Sequence, residues 1–221
     1  MKLLFDALIK VIFGILLVGA LVFLPAGTFA YFHGWLFMGL LFIPMVIAGF
    51  VMLFKSPELL ARRLDAREKQ GNQKAVVAVS GLMFIAGFVI AGLDFRFGWS
   101  IMPMAVTAAA SVLFLVAYGL YAEVLRENAY LSRTVKVEQG QTVVSTGLYG
   151  IVRHPMYAAT ILLFLMMPLV LGSWYAAIVF LIYPALIIVR LKGEERLLCK
   201  ELSGYSEYCE KVKYRIIPFV W

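Results

Sequence analysis

Two short stretches of this 221-residue chain gather side chains that could hold charge and position a reaction. "TGLYGIVRHPMY" at 146–157 carries Gly147, Tyr149, Arg153, His154, Pro155 and Tyr157, and "VRLKGEERLL" at 189–198 carries Arg190, Glu194 and Glu195. Arginine offers a planar, permanently charged fork to a carboxylate or phosphate, and carboxylates accept from ammonium and hydroxyl groups. Tyrosine faces attract cations, and histidine can exchange a proton near neutral pH. Pro155 suits a first helical position, where its missing amide is not needed, so Arg153 and His154 stand just outside a helix start. The positive dipole end and unpaired amides of such a start favour an anion. Taken singly, each residue also has a plain structural reading: flanking charge, a helix cap, an interfacial tyrosine, or an i, i+4 surface pair of Arg190 with Glu194. Their chemistry depends on what brings them together.

The elements that must do so are membrane helices. With 63% hydrophobic and 15% charged residues, the chain is far more apolar than a soluble domain. Apolar runs at roughly 7–24, 31–54, 75–93, 99–122, 155–171 and 174–191 each approach the roughly 20 residues that cross a bilayer core. Strands facing lipid would leave amides unbonded, so the expected fold is an all-α, polytopic membrane bundle of about six transmembrane helices. Lys2 and the apolar run after it resemble a secretory signal. "TFA" at 28–30 lacks the small residue that a cleavage site requires, so this run is expected to remain as the first crossing.

Basic residues orient the bundle. The amino end, the 55–74 loop, the 123–154 connection and the tail from Arg190 carry 19 of the 20 lysines and arginines, against Arg96 on the other side. The positive-inside rule then places both termini in the cytoplasm, and the formal charge of +7 reflects this bias and attraction to anionic lipid; no nucleic-acid motif accompanies it. Cys199 and Cys209 fall on the reducing side, where neither a disulfide nor a zinc site is expected, and His33 and His154 fall on opposite faces.

Only Gly172 and Ser173 separate the fifth and sixth runs, which predicts an antiparallel hairpin over 155–191. Residues whose numbers sum to about 345 should lie level in it, within roughly one turn. Arg190 then returns beside Pro155, and Glu194 returns beside Ile151. The polar residues of the two stretches become neighbours at the cytoplasmic edge of an apolar pocket, as a polar cofactor and a greasy substrate would require.

The flanking segments divide the chain into a four-helix transmembrane scaffold, 1–122, and a catalytic region, 123–221. "KSPELLARRLDAREK" predicts a short surface helix with Ser56 as cap, Pro57 at its first position and Leu59, Leu60 and Leu64 on one face. The connection "TVKVEQGQTVVSTG" has turn glycines and short β-branched runs, an ordered loop rather than another helix. Leu198, Leu202, Tyr205, Tyr208 and Val212 recur at three and four residues, an amphipathic cytoplasmic tail that either covers the rim or rests on lipid. Gly204 is a candidate break in it, and Pro218, Phe219 and Trp221 a candidate interfacial anchor.

"TGLYGIVRHPMY", the hairpin, "EERLL", "GYSEYCEKV" and "YRIIPFVW" together resemble the isoprenylcysteine carboxyl methyltransferase family and its relatives among phospholipid methyltransferases, from about Asn128 onward. The resemblance implies S-adenosylmethionine as cofactor at the cytoplasmic rim and an acceptor entering from the bilayer. It assigns cofactor contacts to Arg153, His154, Pro155, Tyr157, Glu194 and Glu195, with Gly147 and Tyr149 in the preceding turn. Leu148 stands where the family often has proline, and Gly193 interrupts what is commonly a continuous helix.

The residues suit such a cofactor. Arg153 and the helix amides could hold its carboxylate, tyrosine faces its sulfonium and adenine, and Glu194 or Glu195 its ammonium or ribose hydroxyls. A carboxylate acceptor would need only orientation, by Arg190, whereas an amine, thiol or hydroxyl would need a base, for which His154 is the candidate. A nicotinamide-dependent reductase of the sterol reductase type, which shares a similar hairpin, and a non-catalytic protein of this fold are the alternatives. The membrane would be the plasma or inner membrane of a prokaryote, or the endoplasmic reticulum of a eukaryote.

Overall fold

The computed structural model describes residues 2–65, 71–132, 134, 137 and 139–221. The basic residues Arg67, Lys69, Arg133 and Lys136, and most of the β-branched run at 134–138, lie outside these. The described residues form helices without strands: α1 (Lys2–Ala26), α2 (Phe32–Lys55), α3 (Pro57–Leu64), α4 (Gly71–Phe97), α5 (Met104–Glu127), α6 (Pro155–Val170), α7 (Trp174–Phe180), α8 (Tyr183–Glu201) and α9 (Tyr205–Lys211). A single 3₁₀ turn, Gly147–Gly150, precedes α6.

Five stretches are long and apolar enough to cross a membrane: α1, α2, Gln73–Phe97 of α4, α5, and α7 with α8 together. The chain is an integral membrane protein. α6, the fifth expected crossing, has 16 residues and so rises about 24 Å, short of a typical core of about 30 Å. It is an interior helix, with Tyr157, Ala159, Leu163, Met167 and Val170 buried, packed chiefly on α5 and also on α7 and α8.

Lipid tails are as apolar as leucine, so close packing rather than water exclusion must join these helices. α1 and α4 approach at Gly92, where a β-carbon would stand 2.5 Å from the carbonyl oxygen of Val22. Phe37, Phe88, Phe114 and Phe180 fill the main core, and Phe84, Phe164 and Tyr183 meet edge to face beside them.

The end of the bundle holding the α6–α7 turn carries a polar knot that the sequence does not advertise. Asp94, 1% exposed, accepts from the Ser100 amide at 2.7 Å, the Ser100 hydroxyl at 2.6 Å and the Ser173 hydroxyl at 2.5 Å. It ties the α4–α5 turn to the α6–α7 turn and so sets the hairpin's depth. Gly172, at φ +75°, rests on the His33 ring, so His33 lies at the end of α6 away from His154.

α3 forms as expected from Pro57, with Leu59 and Leu60 buried, but Ser56 makes no side-chain cap bond. The second leg of the hairpin is broken at Leu181 and Ile182, between α7 and α8. Tyr157 meets Glu194 and His154 meets Glu195, sums near 350 rather than 345, which is about one turn from the level register and at the limit of the slack expected. α8 runs unbroken through Gly193, so this glycine is no interruption here.

Candidate active site

Local structure places each side chain. Where α5 ends, the Glu127 carboxylate accepts from the Leu148 amide with both oxygens, at 3.2 and 3.0 Å. Gly147 has φ +53°, and any β-carbon there would overlap that carboxylate, so its work is to let the 3₁₀ turn close on Glu127. The turn delivers Tyr149 inward, where its hydroxyl accepts from Asn128 Nδ2 at 3.0 Å. Burial pushes this phenol up to about 12, against the Asn128 hydrogen bond, so it stays a neutral hydroxyl.

The next residues pair with the tail. The amides of Arg153 and His154 donate to the carbonyls of Tyr214 and Arg215 at 2.9 and 2.8 Å. Two amides at this helix start are thereby used within the fold and are not offered to a ligand.

Between these elements lies a cavity open to solvent on one side, with about 850 Å³ of empty space when the open solvent is included. Tyr149, Arg153, His154, Met156 and Tyr157 form one wall; Arg190, Glu194 and Leu198 of α8 form another. Leu202, Tyr205 and Tyr208 of the tail and 141–144 of the connection complete it, so both flanking segments belong to the enclosure. Tyr205, Tyr208, Leu202 and Val212 cluster with Val137 and Val143, and the Tyr208 hydroxyl donates to the Tyr149 carbonyl at 2.7 Å. The chain breaks at Gly204, φ +81°, as its sequence suggests. Trp221 is partly buried against the main core, while Phe219 is 87% exposed.

Six expected site residues thus share one cavity, namely Tyr149, Arg153, His154, Tyr157, Arg190 and Glu194. Three do not line it. Gly147 faces Glu127, Pro155 is buried at the start of α6, and Glu195 is turned into an ion-pair knot. Adjacent helical residues point about 100° apart, which separates the two glutamates.

Glu194 accepts from the Tyr157 hydroxyl. Glu195 pairs through Oε1 with Arg153 Nη1 at 3.1 Å and through Oε2 with Arg215 Nε at 2.9 Å. His154 Nε2 lies 3.4 Å from Glu195 Oε1 and 3.4 Å from the Tyr205 hydroxyl, and its ring stacks on Tyr157 at 5.6 Å. Burial opposes the Arg153 charge, but Cys209 and Glu195 beside it outweigh this and raise its pKa. Arg153 Nη2 donates to the Lys213 carbonyl at 3.3 Å, while its Nε is buried without a hydrogen bond among the described residues. Arg215 escapes a reading of the sequence, because no spacing ties it to a glutamate 20 positions earlier. Of the pair's geometry only Arg153 has a motif to mark it.

Fold and site together define an integral membrane helix bundle with a polar-walled cavity at one end of its carboxyl-terminal hairpin. Residues 108–200 match the isoprenylcysteine carboxyl methyltransferase (ICMT) family. The matched region runs from α5 through nearly all of α8 and bears out the resemblance carried by the two motifs. It supports a membrane methyltransferase. A stretch of 91 residues is also 33% identical to Delta(14)-sterol reductase TM7SF2 of Mus musculus, covering 40% of this chain. The chain spans about a fifth of that protein's length, 22%.

Proposed function

We propose that the chain transfers a methyl group from S-adenosylmethionine to a lipid-like acceptor, and that a carboxylate such as that of a prenylated cysteine suits the site best. The observation that carries this reading is that Arg153, His154 and Tyr157 share one cavity with Arg190 and Glu194. The chemistry of these donors fits the cofactor: a carboxylate for its ammonium or ribose hydroxyls, aromatic faces for a cation and a purine, and guanidinium for its carboxylate. When bound, the cofactor supplies an activated methyl group on a sulfonium sulfur.

Glu194 holds the cofactor, oriented by the Tyr157 hydroxyl, while Tyr149 and Tyr205 provide aromatic walls. Arg153 is already paired with Glu195, so it contributes a fixed positive wall rather than a mobile clamp. His154 Nε2 faces Glu195 and Tyr205, which favours an acceptor that needs no proton removed. Arg190 orients that acceptor's carboxylate. The tail and the connection exclude water, and alignment supplies most of the acceleration.

In this reading the chain makes six crossings with both termini cytoplasmic. Residues 123–221 form the catalytic region on a 1–122 scaffold, and the acceptor reaches the cavity from the bilayer. The identity with a sterol reductase favours a second reading, hydride transfer from a nicotinamide cofactor to a sterol-like alkene. Calorimetry on the purified protein with S-adenosylmethionine and with NADPH separates the two. Binding of the first alone is expected, followed by transfer of labelled methyl into a lipid or prenylated acceptor; binding of NADPH alone would overturn the proposal in favour of the reductase.

A further inference from the structure

Arg190, which lines the cavity, is held from behind by a helix outside the family-matched residues 108–200. Gln73, in the first turn of α4, is 2% exposed. Its Nε2 donates to the Arg190 carbonyl at 3.1 Å, and its Oε1 accepts from Arg190 Nη1 at 3.4 Å. One side-chain amide therefore engages both the backbone and the guanidinium of the same arginine, which itself lines the cavity.

Gly193 makes this approach possible. A β-carbon there would stand 2.5 Å from Gln73 Nε2, closer than a nonbonded contact allows. Glycine is among the poorest residues for a helix interior, and α8 continues through this position. Its use lies in admitting Gln73. An amide is also the fitting partner. A glutamate at 73 would pair with Arg190 and cancel charge, whereas glutamine orients the guanidinium without adding charge of its own.

We propose that Gln73 is a positioning residue that fixes Arg190 so that its guanidinium meets the anionic head of the acceptor, with Gly193 as the gap that lets it in. This rests on the methyl-transfer reading, in which Arg190 orients the acceptor's carboxylate.

Gln73→Met keeps the side chain's volume and removes both hydrogen bonds, and Gln73→Glu keeps an acceptor for Arg190 but adds charge. The probes are S-adenosylmethionine and N-acetyl-S-farnesylcysteine in detergent micelles. Both variants are expected to raise the acceptor KM by about tenfold, while cofactor affinity stays within about twofold. Unchanged acceptor KM, or equal weakening for cofactor and acceptor, overturns the proposal. Should the unmutated protein neither bind S-adenosylmethionine nor transfer methyl, the methyl-transfer reading fails by itself. The geometry is then read from the rate at which phenylglyoxal modifies Arg190, followed by peptide mass. Gln73→Met and Gly193→Ala should each speed that modification several-fold, and rates equal to the parent's overturn the positioning role.

Discussion

Glu194 and Glu195 are neighbours in the chain with different surroundings. Glu194 lines the cavity, and Glu195 joins Arg153, His154 and Arg215 in a buried knot. Removing one partner of such a knot leaves guanidinium groups without compensation, which costs more than the pair itself contributes. Glu195→Gln is therefore expected to destabilise the protein by about 2–3 kcal/mol, read as a lowered melting temperature in detergent. Glu194→Gln should leave the melting temperature nearly unchanged and weaken cofactor binding about tenfold, as loss of a charge-assisted hydrogen bond would. Equal thermal losses in both variants would contradict the division of labour. Residue types for the cavity were legible in the sequence because local motifs hold them, as in "RHPMY" and "GEERLL". Which glutamate faces the cavity was not, since that angle depends on the register of α8, which lies about a turn from level.

At the scale of elements, the cavity depends on a 3₁₀ turn and a tail clasp. Gly147 was expected among the cofactor contacts, and its place in the motif is real; its task is to close the turn over Glu127 and so aim Tyr149 inward. Gly147→Ala combines an unfavourable φ of +53° with overlap on the Glu127 carboxylate, and is expected to cost above about 2 kcal/mol. Glu127→Gln should cost about 1 kcal/mol. In the double variant the two losses should fall short of additive, measured by thermal or denaturant unfolding, because both act through one contact. Full additivity would remove Glu127 from the account. The amphipathic spacing of the tail made its buried face readable, as the cluster of Leu202, Tyr205, Tyr208 and Val212 shows. Its pairing through Tyr214 and Arg215 with the segment before α6 was hidden, because backbone hydrogen bonds between distant irregular segments leave no side-chain pattern.

For the whole molecule, the distribution of charge and the architecture point the same way. The cavity and the tail clasp gather at one end of the bundle with Arg62 and Arg63, which bond to Ala129 and Tyr121, and the Asp94 knot closes the other. Apolar runs made all six membrane-sized segments legible, of which five are long enough to cross; the start of the shorter α6 was legible through Pro155 and its end through the Gly172–Ser173 turn. Asp94 and Gln73 were not, because a buried polar residue near the end of an apolar run reads as ordinary interfacial sequence until its partners are in place. The orientation has a direct test. Cys199 is exposed, next to the cavity-lining Leu198 on α8, and Ile101, 89% exposed, follows the α4 end at the other end of the bundle. With Ile101→Cys introduced, a membrane-impermeant maleimide added to sealed vesicles of one orientation should label either position 101 or Cys199, not both, and inverted vesicles should exchange them. Labelling of both from one face would break the six-crossing topology. It would also remove the reason for placing Arg190, the tail and a water-soluble cofactor on the same side of the bilayer.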